Sequence, residues 1–138
     1  MIYGSSAKLR SYEKTVLNFA LARLPALQAE KLRKQLRHLA YRQRHSDDRV
    51  LAFFGDQPGE LPTVLFEHRS DDLITAEMDV VVPSTTFQEK RMHATLYSAN
   101  GCFYSIEFAE SPSAIGLADG VPVGIENVSI NALLDSPS

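Results

Sequence analysis

Apolar side chains in the first third of the chain recur at the three- and four-residue spacing of an amphipathic helix. The pattern is clearest over residues 12–23, and Ser11 precedes it in the position of an N-cap. A second helix is predicted over 25–42, because Pro25 suits a first helical turn and leucines recur on one face after it. We therefore expect a helical N-terminal part over residues 12–42.

Further along the chain the apolar spacing changes to that of strands. Val50–Phe54 is short, apolar and aromatic, and turn-forming residues follow it. A second short apolar run covers 64–66. In Leu73–Val82 apolar residues alternate with polar ones such as Glu77 and Asp79, which predicts a third strand with one face toward water.

The Asn100-Gly101 step is the strongest local signal for a hairpin, because a type I′ turn needs positive φ at both central positions. A two-residue loop then fixes which residues lie opposite each other. The predicted pairs are Ala99/Cys102, Tyr97/Tyr104, Thr95/Ile106 and His93/Phe108 on one face, and Ser98/Phe103, Leu96/Ser105 and Ala94/Glu107 on the other. The first set is the more apolar and is expected to face the helices.

Helices followed by strands indicate an α+β fold, with two N-terminal helices packed on one face of an antiparallel β-meander of about five strands. We expect a single domain over residues 1–138, with the sheet over 49–130 and a frayed tail over 131–138. Residues after 120 add a weak edge strand. The other face of the sheet would meet water and present the polar strand residues, together with Phe103 and Leu96.

Charge is divided unevenly between these two parts. Residues 1–49 carry eleven Lys and Arg against four Asp and Glu, whereas residues 50–138 carry three against thirteen. The modest net charge of −3 therefore conceals two opposite local fields, and each can act on a partner.

Composition and targeting signals favour a cytoplasmic protein. The hydrophobic fraction of 44% and the charged fraction of 22% are ordinary for a soluble globular domain. The single cysteine, Cys102, excludes an internal disulfide, and the N-terminus lacks the apolar core of a signal peptide. No apolar run approaches the roughly 20 residues that span a bilayer, so no membrane partner is expected.

No pattern of catalytic or metal-binding residues stands out. The four histidines lack the H-x-x-x-H and H-E-x-x-H spacings, and Cys102 has no partner cysteine. No G-x-S-x-G or phosphate-loop motif is present. Glu77 and Asp79 share a strand face, as two acid–base carboxylates would, but such a pair is more often the solvated side of a sheet. The sequence predicts no enzyme activity, no metal and no cofactor.

Two surfaces remain as candidate binding sites. The first is the acidic side of the sheet, where an exposed aromatic anchor ringed by polar groups would suit a basic protein partner. Its predicted residues are Asp71, Asp72, Glu77, Asp79, Phe103, Ser105 and Glu107. The alternative for Phe103 is burial under the C-terminal segment.

The second candidate is the basic face of helix two, which suits phosphate groups. Its predicted residues are Lys31, Lys34, Arg37 and Arg42. The acidic remainder of the chain would repel a polyanion, and no recognised nucleic-acid-binding motif accompanies the basic face. A solvated or intramolecular role is therefore favoured for these cations. An exposed edge strand leaves both a monomer and a dimer open.

Two short helices precede a meander whose hairpin reads Ala94-Thr95-Leu96-Tyr97-x-x-Asn100-Gly101-x-Phe103-Tyr104-Ser105-Ile106-Glu107-Phe108. This arrangement resembles small bacterial proteins found among the immunity proteins of polymorphic and contact-dependent toxin systems. The likeness covers residues 91–112 and carries over no functional residues. It implies a protein that binds and blocks a cognate toxin, commonly a nuclease, without catalysis. The acidic face would then imitate the phosphates that a basic toxin cleft binds.

Overall fold

The computed structural model describes residues 7–39, 41–55, 65, 73–83, 89–99 and 101–131. Its elements are α1 (Ser11–Arg23), α2 (Ala26–His38), β1 (Tyr41–His45), β2 (Val50–Phe54), β3 (Leu73–Val82), β4 (Lys90–Ala99), β5 (Cys102–Phe108), a 3₁₀ turn (Pro112–Ile115) and β6 (Gly124–Ile130). The strands form one antiparallel sheet in the order β1-β2-β5-β4-β3-β6. The predicted α+β class is confirmed, with six described strands instead of about five.

Both helices pack on one face of the sheet, where α1 contacts β3 and β6 and α2 contacts β5. The apolar residues that alternate along the strands lie beneath them. The largest fully buried apolar side chains are Tyr12, Val16, Leu32, Leu51, Leu65, Met78, Leu96, Phe103 and Ile106. Removing this apolar surface from water is the main favourable contribution to folding, at roughly 25 cal/mol per Å².

Strand β1 corrects the prediction that the second helix continues to Arg42. The helix ends at His38, because Leu39 leaves the helical region with φ −88° and ψ 65°. Tyr41–His45 then pairs with Val50–Phe54 along its whole length. The segment Tyr-Arg-Gln-Arg-His has no apolar alternation of its own. Its strand conformation therefore depends on pairing with β2, which the local sequence does not encode.

The N-terminus of α1 is capped differently from the prediction. Ser11 is the first helical residue, and Arg10 is the N-cap. The Arg10 backbone N–H donates to Glu13 Oε1 at 2.7 Å, as in half of a capping box. Ser11 instead binds a distant loop, since its N–H donates to Asp119 Oδ1 at 2.7 Å and its Oγ accepts the Gly120 N–H at 2.7 Å.

The β4–β5 hairpin keeps the predicted pairs only next to its turn, where Ala99/Cys102 and Ser98/Phe103 are observed. Beyond them Tyr104 is an extra residue in β5, and the register shifts by one. The observed pairs are then Tyr97/Ser105, Leu96/Ile106, Thr95/Glu107 and Ala94/Phe108. The predicted pairs Tyr97/Tyr104, Thr95/Ile106, His93/Phe108, Leu96/Ser105 and Ala94/Glu107 are therefore wrong. The bulge is favourable because it places the apolar residues of both strands on the helix side.

Phe103 consequently lies in the core and is not exposed. It is 1% exposed, its ring centroid lies 4.9 Å from that of Phe53, and Leu96 beside it is fully buried. Gln35 of α2 holds the same point of the hairpin. Its Oε1 accepts the Phe103 N–H at 2.9 Å, and its Nε2 donates to the Gly101 carbonyl at 3.0 Å.

The remaining predicted elements fall partly outside the described residues. The strand predicted at 64–66 lies outside them apart from Leu65, which is buried in the core. The edge strand near the C-terminus is confirmed as β6. Within the predicted tail over 131–138 only Asn131 is described, and its backbone and side chain both donate to carbonyls of β3. Fraying therefore does not begin at this residue.

Candidate binding surface

We call the side of the sheet that points away from α1 and α2 the outer face. Residues reach this face by strand alternation, and the described helices pack on the other side. Its exposed and partly exposed side chains include Ile74, Glu77, Asp79, Arg91, His93, Tyr97, Glu107 and Glu126. Four of these are carboxylates against one arginine and one histidine, so carboxylates predominate among the charged groups named.

His93 on β4 lies between two carboxylates of β3. Its Nε2 is 3.2 Å from Glu77 Oε1, and its Nδ1 is 3.0 Å from Asp79 Oδ1. From β6, Asn127 donates through Nδ2 to Asp79 Oδ2 at 2.8 Å. These four residues, which we call the His93 cluster, connect three adjacent strands. Two carboxylates are thereby fixed side by side on the outer face.

Hydrogen bonds within the His93 cluster favour the ionised form of Asp79. The bond from Asn127 and, next, the bond with His93 lower the pKa of this carboxyl below its ordinary value. Both contacts stabilise the charged form, which is the direction expected for a carboxylate that accepts hydrogen bonds. Asp79 therefore presents a negative charge on the outer face at neutral pH.

Arg91 forms a second ion-pair group on the outer face. Its Nη1 lies 2.8 Å from Glu126 Oε1 and its Nη2 lies 3.5 Å from Glu89 Oε2. The hydrogen bond with Glu126 is the main cause of a raised pKa at Arg91. All three side chains are about half exposed, so these contacts orient the groups and add little to stability.

An apolar pair accompanies the carboxylates of the outer face. Ile74 on β3 and Tyr97 on β4 are directly paired, and Ile74 is 37% exposed. The Tyr97 ring lies 6.4 Å from the Tyr104 ring, centroid to centroid. Local alternation did not predict this apolar pair. The bulge at Thr75 reverses the face of Ile74. The expectation that Tyr97 and its set face the helices is wrong for β4, because the bulge at Tyr104 places Ile106 and Phe108 opposite the buried Leu96 and Ala94.

Three residues predicted for the interface do lie on the outer face with partly exposed carboxylates: Glu77, Asp79 and Glu107. Ser105 also lies on this side, but it is only 1% exposed and its Oγ donates to Glu107 Oε2 at 3.4 Å. The prediction of Phe103 as an exposed anchor is wrong, because this side chain is in the core. Asp71 and Asp72 lie outside the described residues.

The alternative basic surface is only partly assembled. Lys31, Lys34 and Arg37 lie on α2, and no carboxylate in the described part of the chain forms an ion pair with them. Arg42 does not join them, because it belongs to β1 and its Nε donates to the Ala7 carbonyl at 2.7 Å. The predicted face of four helical cations is therefore wrong at Arg42.

A further charged cluster, which no local sequence pattern indicates, lies on the helix side of the sheet. Glu13 is fully buried in α1, and its Oε2 accepts Arg44 Nε from β1 at 3.0 Å. Its Oε1 accepts both Arg44 Nη2 and the Arg10 backbone N–H. We call Glu13, Arg44 and Arg10 the Glu13 cluster. Its position between a helix and a strand gives it a structural role.

Three observations on the described ranges concern metal binding, thiol reactivity and membrane-spanning helices. No group of three or more His, Cys, Asp or Glu side chains in them is placed to hold a metal ion. Burial raises the pKa of the Cys102 thiol, which disfavours the nucleophilic thiolate. No helix among these residues has the length and apolar character needed to cross a bilayer.

Comparisons with protein-family models, with curated proteins and with solved structures find no match to this chain. Its function is therefore argued from the chemistry of its surfaces.

Proposed function

We propose that this protein is a non-catalytic immunity protein, which binds a cognate bacterial toxin domain through the outer face and so neutralises it. The observation that carries this proposal is that carboxylates follow the Ile74 and Tyr97 pair along the same strands, on a sheet face that neither helix covers. Interfaces of stable complexes combine apolar or aromatic anchors with a polar rim. The outer face has both components.

The acidic groups suit a partner with a basic surface. Glu77, Asp79, Glu107 and Glu126 project from three strands, whereas Arg91 is the one Lys or Arg side chain among the outer-face residues named above. Complementary charge accelerates encounter and disfavours acidic competitors. A nuclease cleft that binds phosphates is a partner of this kind.

Preorganisation supports the same function. Asp79 accepts a hydrogen bond from Asn127 and lies 3.0 Å from His93 Nδ1, and Glu77 lies 3.2 Å from the other ring nitrogen of His93. Side chains that are already ordered lose less conformational entropy when a partner binds, and more of the contact energy contributes to affinity. The His93 cluster therefore presents two carboxylates in a fixed geometry.

Affinity capture followed by titration tests this proposal. The tagged protein and two double variants are used to capture partners from lysate of the source organism, and the captured partner is then purified and titrated by calorimetry. The first variant, Glu77→Lys with Glu107→Lys, reverses two outer-face charges. The matched control, Glu30→Lys with Glu110→Lys, makes the same change in net charge at exposed positions elsewhere.

We expect one stoichiometric protein partner that the control retains and the outer-face variant loses, with affinity weakened at least about a hundredfold. The wild-type protein and the control should both inhibit the partner's toxic activity, and the outer-face variant should not. Equal affinity of both variants for the partner would refute the outer face as the binding site.

A second candidate function is association with nucleic acid through α2. The observation that favours it is the presence of Lys31, Lys34 and Arg37 on one helix without acidic partners among the described residues. Phosphate binding of this kind must weaken steeply as salt rises. Fluorescence anisotropy with a labelled oligonucleotide at about 20 mM and 200 mM salt measures this, and absence of binding at the lower value would exclude it.

A further inference from the structure

The two helices present a second charged surface, on the side of the molecule opposite the outer face. We call the solvent-facing side of α1 and α2 the helical face. Its Lys, Arg and Glu side chains, all exposed or partly exposed, are Lys14, Arg23, Glu30, Lys31, Arg33, Lys34 and Arg37. The other carboxylate of the helices, Glu13, is buried. The helical face is therefore basic, whereas carboxylates predominate among the charged groups named for the outer face.

Most cations of the helical face have no acidic partner in the described part of the chain. Arg33 lies 3.9 Å from Glu30, and both of these side chains are about half exposed. The ion pairs found within the described ranges involve no other cation of this face. The positive charge of the helical face is thus not neutralised by described groups of the same molecule.

Apolar side chains accompany the charges on both faces. Among the described residues, the exposed large apolar side chains are Phe19 at 41%, Leu27 at 62% and Ile74 at 37%. Phe19 and Leu27 belong to the helical face, and Ile74 belongs to the outer face. Arg23 follows Phe19 by one helical turn and shares its side of α1, and Lys31 follows Leu27 in the same way on α2. Each face therefore combines apolar groups with charge of one predominant sign.

We propose that copies of this chain associate head to tail, with the helical face of one copy on the outer face of the next. Opposite charge attracts these two surfaces, whereas contact between two like faces brings like charges together. A second copy suits the helical face better than nucleic acid does, because phosphate groups offer no apolar surface to Phe19 and Leu27. The outer face supplies such a surface with Ile74 and Tyr97.

The positions of the two faces determine the kind of assembly. The sheet lies between them, so one molecule cannot bring its own two faces together. The contact joins two different surfaces, and such a contact continues as an open chain of copies unless it closes into a ring. This association involves no other protein and does not depend on the proposed function.

The size of the helical face determines the strength of the contact. The two helices have 13 residues each and contact each other. Two helices about 20 Å long and about 10 Å apart present roughly 400 Å². Stable complexes bury about 800 Å² on each partner, so this interface is a weak one. We expect a dissociation constant of about 0.1–1 mM at low salt.

Sedimentation equilibrium of the full chain, at salt concentrations of about 0.01 M and about 1 M, tests the proposal. The outer-face variant is again Glu77→Lys with Glu107→Lys. The helical-face variant is Lys31→Glu with Lys34→Glu. Each variant is measured alone, and the two are then measured as an equimolar mixture.

The matched control is Lys8→Glu with Lys90→Glu. It makes the same change in net charge as the helical-face variant, at two exposed positions that belong to neither face. Thermal unfolding of each variant verifies that the fold is retained.

We expect the average mass of wild type and control to rise with protein concentration at the lower salt. Both should return to the monomer mass at the higher salt, where the Debye length falls from about 30 Å to about 3 Å. Each charge-reversed variant alone should remain monomeric. Their mixture should form a 1:1 dimer and nothing longer, because one intact helical face then meets one intact outer face.

Three results would overturn the proposal. The first is a monomeric wild type at about 1 mM protein and the lower salt, and oligonucleotide binding in the anisotropy assay would then assign the helical face to nucleic acid. The second is a wild-type mass that stops at a dimer, which indicates a symmetric contact between like faces. The third is a mixture of the two variants that stays monomeric while wild type associates.

Discussion

The Glu13 cluster and the His93 cluster both place carboxylates beside basic side chains, but they lie on opposite faces of the sheet and differ in burial. The Glu13 side chain is 0% exposed and that of Arg44 is 13% exposed, whereas Glu77 and His93 are 38% and 45% exposed. Water cannot replace the partner of a buried carboxylate, but it readily solvates an exposed one. The first cluster therefore fixes α1 on β1, and the second keeps its carboxylates accessible to a partner.

The largest loss of stability is expected from breaking the buried ion pair between Glu13 and Arg44. Arg44→Ala leaves the Glu13 carboxylate buried without its main cation and should reduce the free energy of unfolding by about 3–5 kcal/mol. Urea denaturation at pH 7 measures this. The control, Arg91→Ala, removes an exposed arginine from the outer face and should leave the denaturation midpoint nearly unchanged. Similar midpoints for both variants would contradict the distinction between the two clusters.

A neutral buried contact should have an intermediate effect. Gln35→Leu removes the groups that pair with the Phe103 N–H and the Gly101 carbonyl. Leaving buried backbone groups unsatisfied should cost about 1–3 kcal/mol of unfolding free energy, measured by urea denaturation. Gln28→Leu on the same helix is the control, with a change within about 0.5 kcal/mol. A stable Gln35→Leu protein would mean that water replaces the amide there.

Two aromatic residues of the hairpin separate stability from binding. Phe103→Leu should lower the free energy of unfolding by about 1–2 kcal/mol, because it removes ring atoms from the core, and it should leave partner affinity unchanged. Tyr97→Leu should change the free energy of unfolding by about 0.5 kcal/mol or less, but it should measurably weaken binding of the captured partner. Denaturation and calorimetric titration of both variants give the comparison. If Phe103→Leu lost affinity for the partner and Tyr97→Leu did not, Phe103 and not Tyr97 would belong to the binding surface.

The smallest effect is expected from the pH dependence of the His93 cluster. Because the pKa of Asp79 is lower in the folded protein than its ordinary value of 3.8, this carboxylate stabilises the fold above about pH 4, and the contribution is lost as pH falls through the folded value. Urea denaturation at pH 5 and at pH 3 should show that Asp79→Asn is destabilised relative to wild type at pH 5 by less than about 1 kcal/mol. The difference between the two proteins should be smaller at pH 3 than at pH 5. A difference that grows toward pH 3 would contradict the lowered pKa.

Sequence patterns predicted the fold class and three of the four outer-face carboxylates named above, because those signals are local. Alternation in Leu73–Val82 placed Glu77 and Asp79 on a wet face, and the Asn100-Gly101 step located the hairpin. The apolar part of the surface was not predictable in the same way. One extra residue in a strand reverses every side chain beyond it, and the hairpin signal reports the turn without reporting a bulge.

The sequence by itself determined the order of helices before strands, the position of the main hairpin and the acidic character of the sheet, since each follows from residues close together in the chain. Only the tertiary structure decided that residues 41–45 form a strand, that Phe103 is buried and that Arg44 meets Glu13. The strand at 41–45 depends on pairing with the neighbouring β2. The other two outcomes involve residues far apart, 31 positions for Glu13 and Arg44 and 68 for Gln35 and Phe103. Bulges and buried pairs arise because several segments must pack together in one core. A local sequence pattern does not predict how they pack.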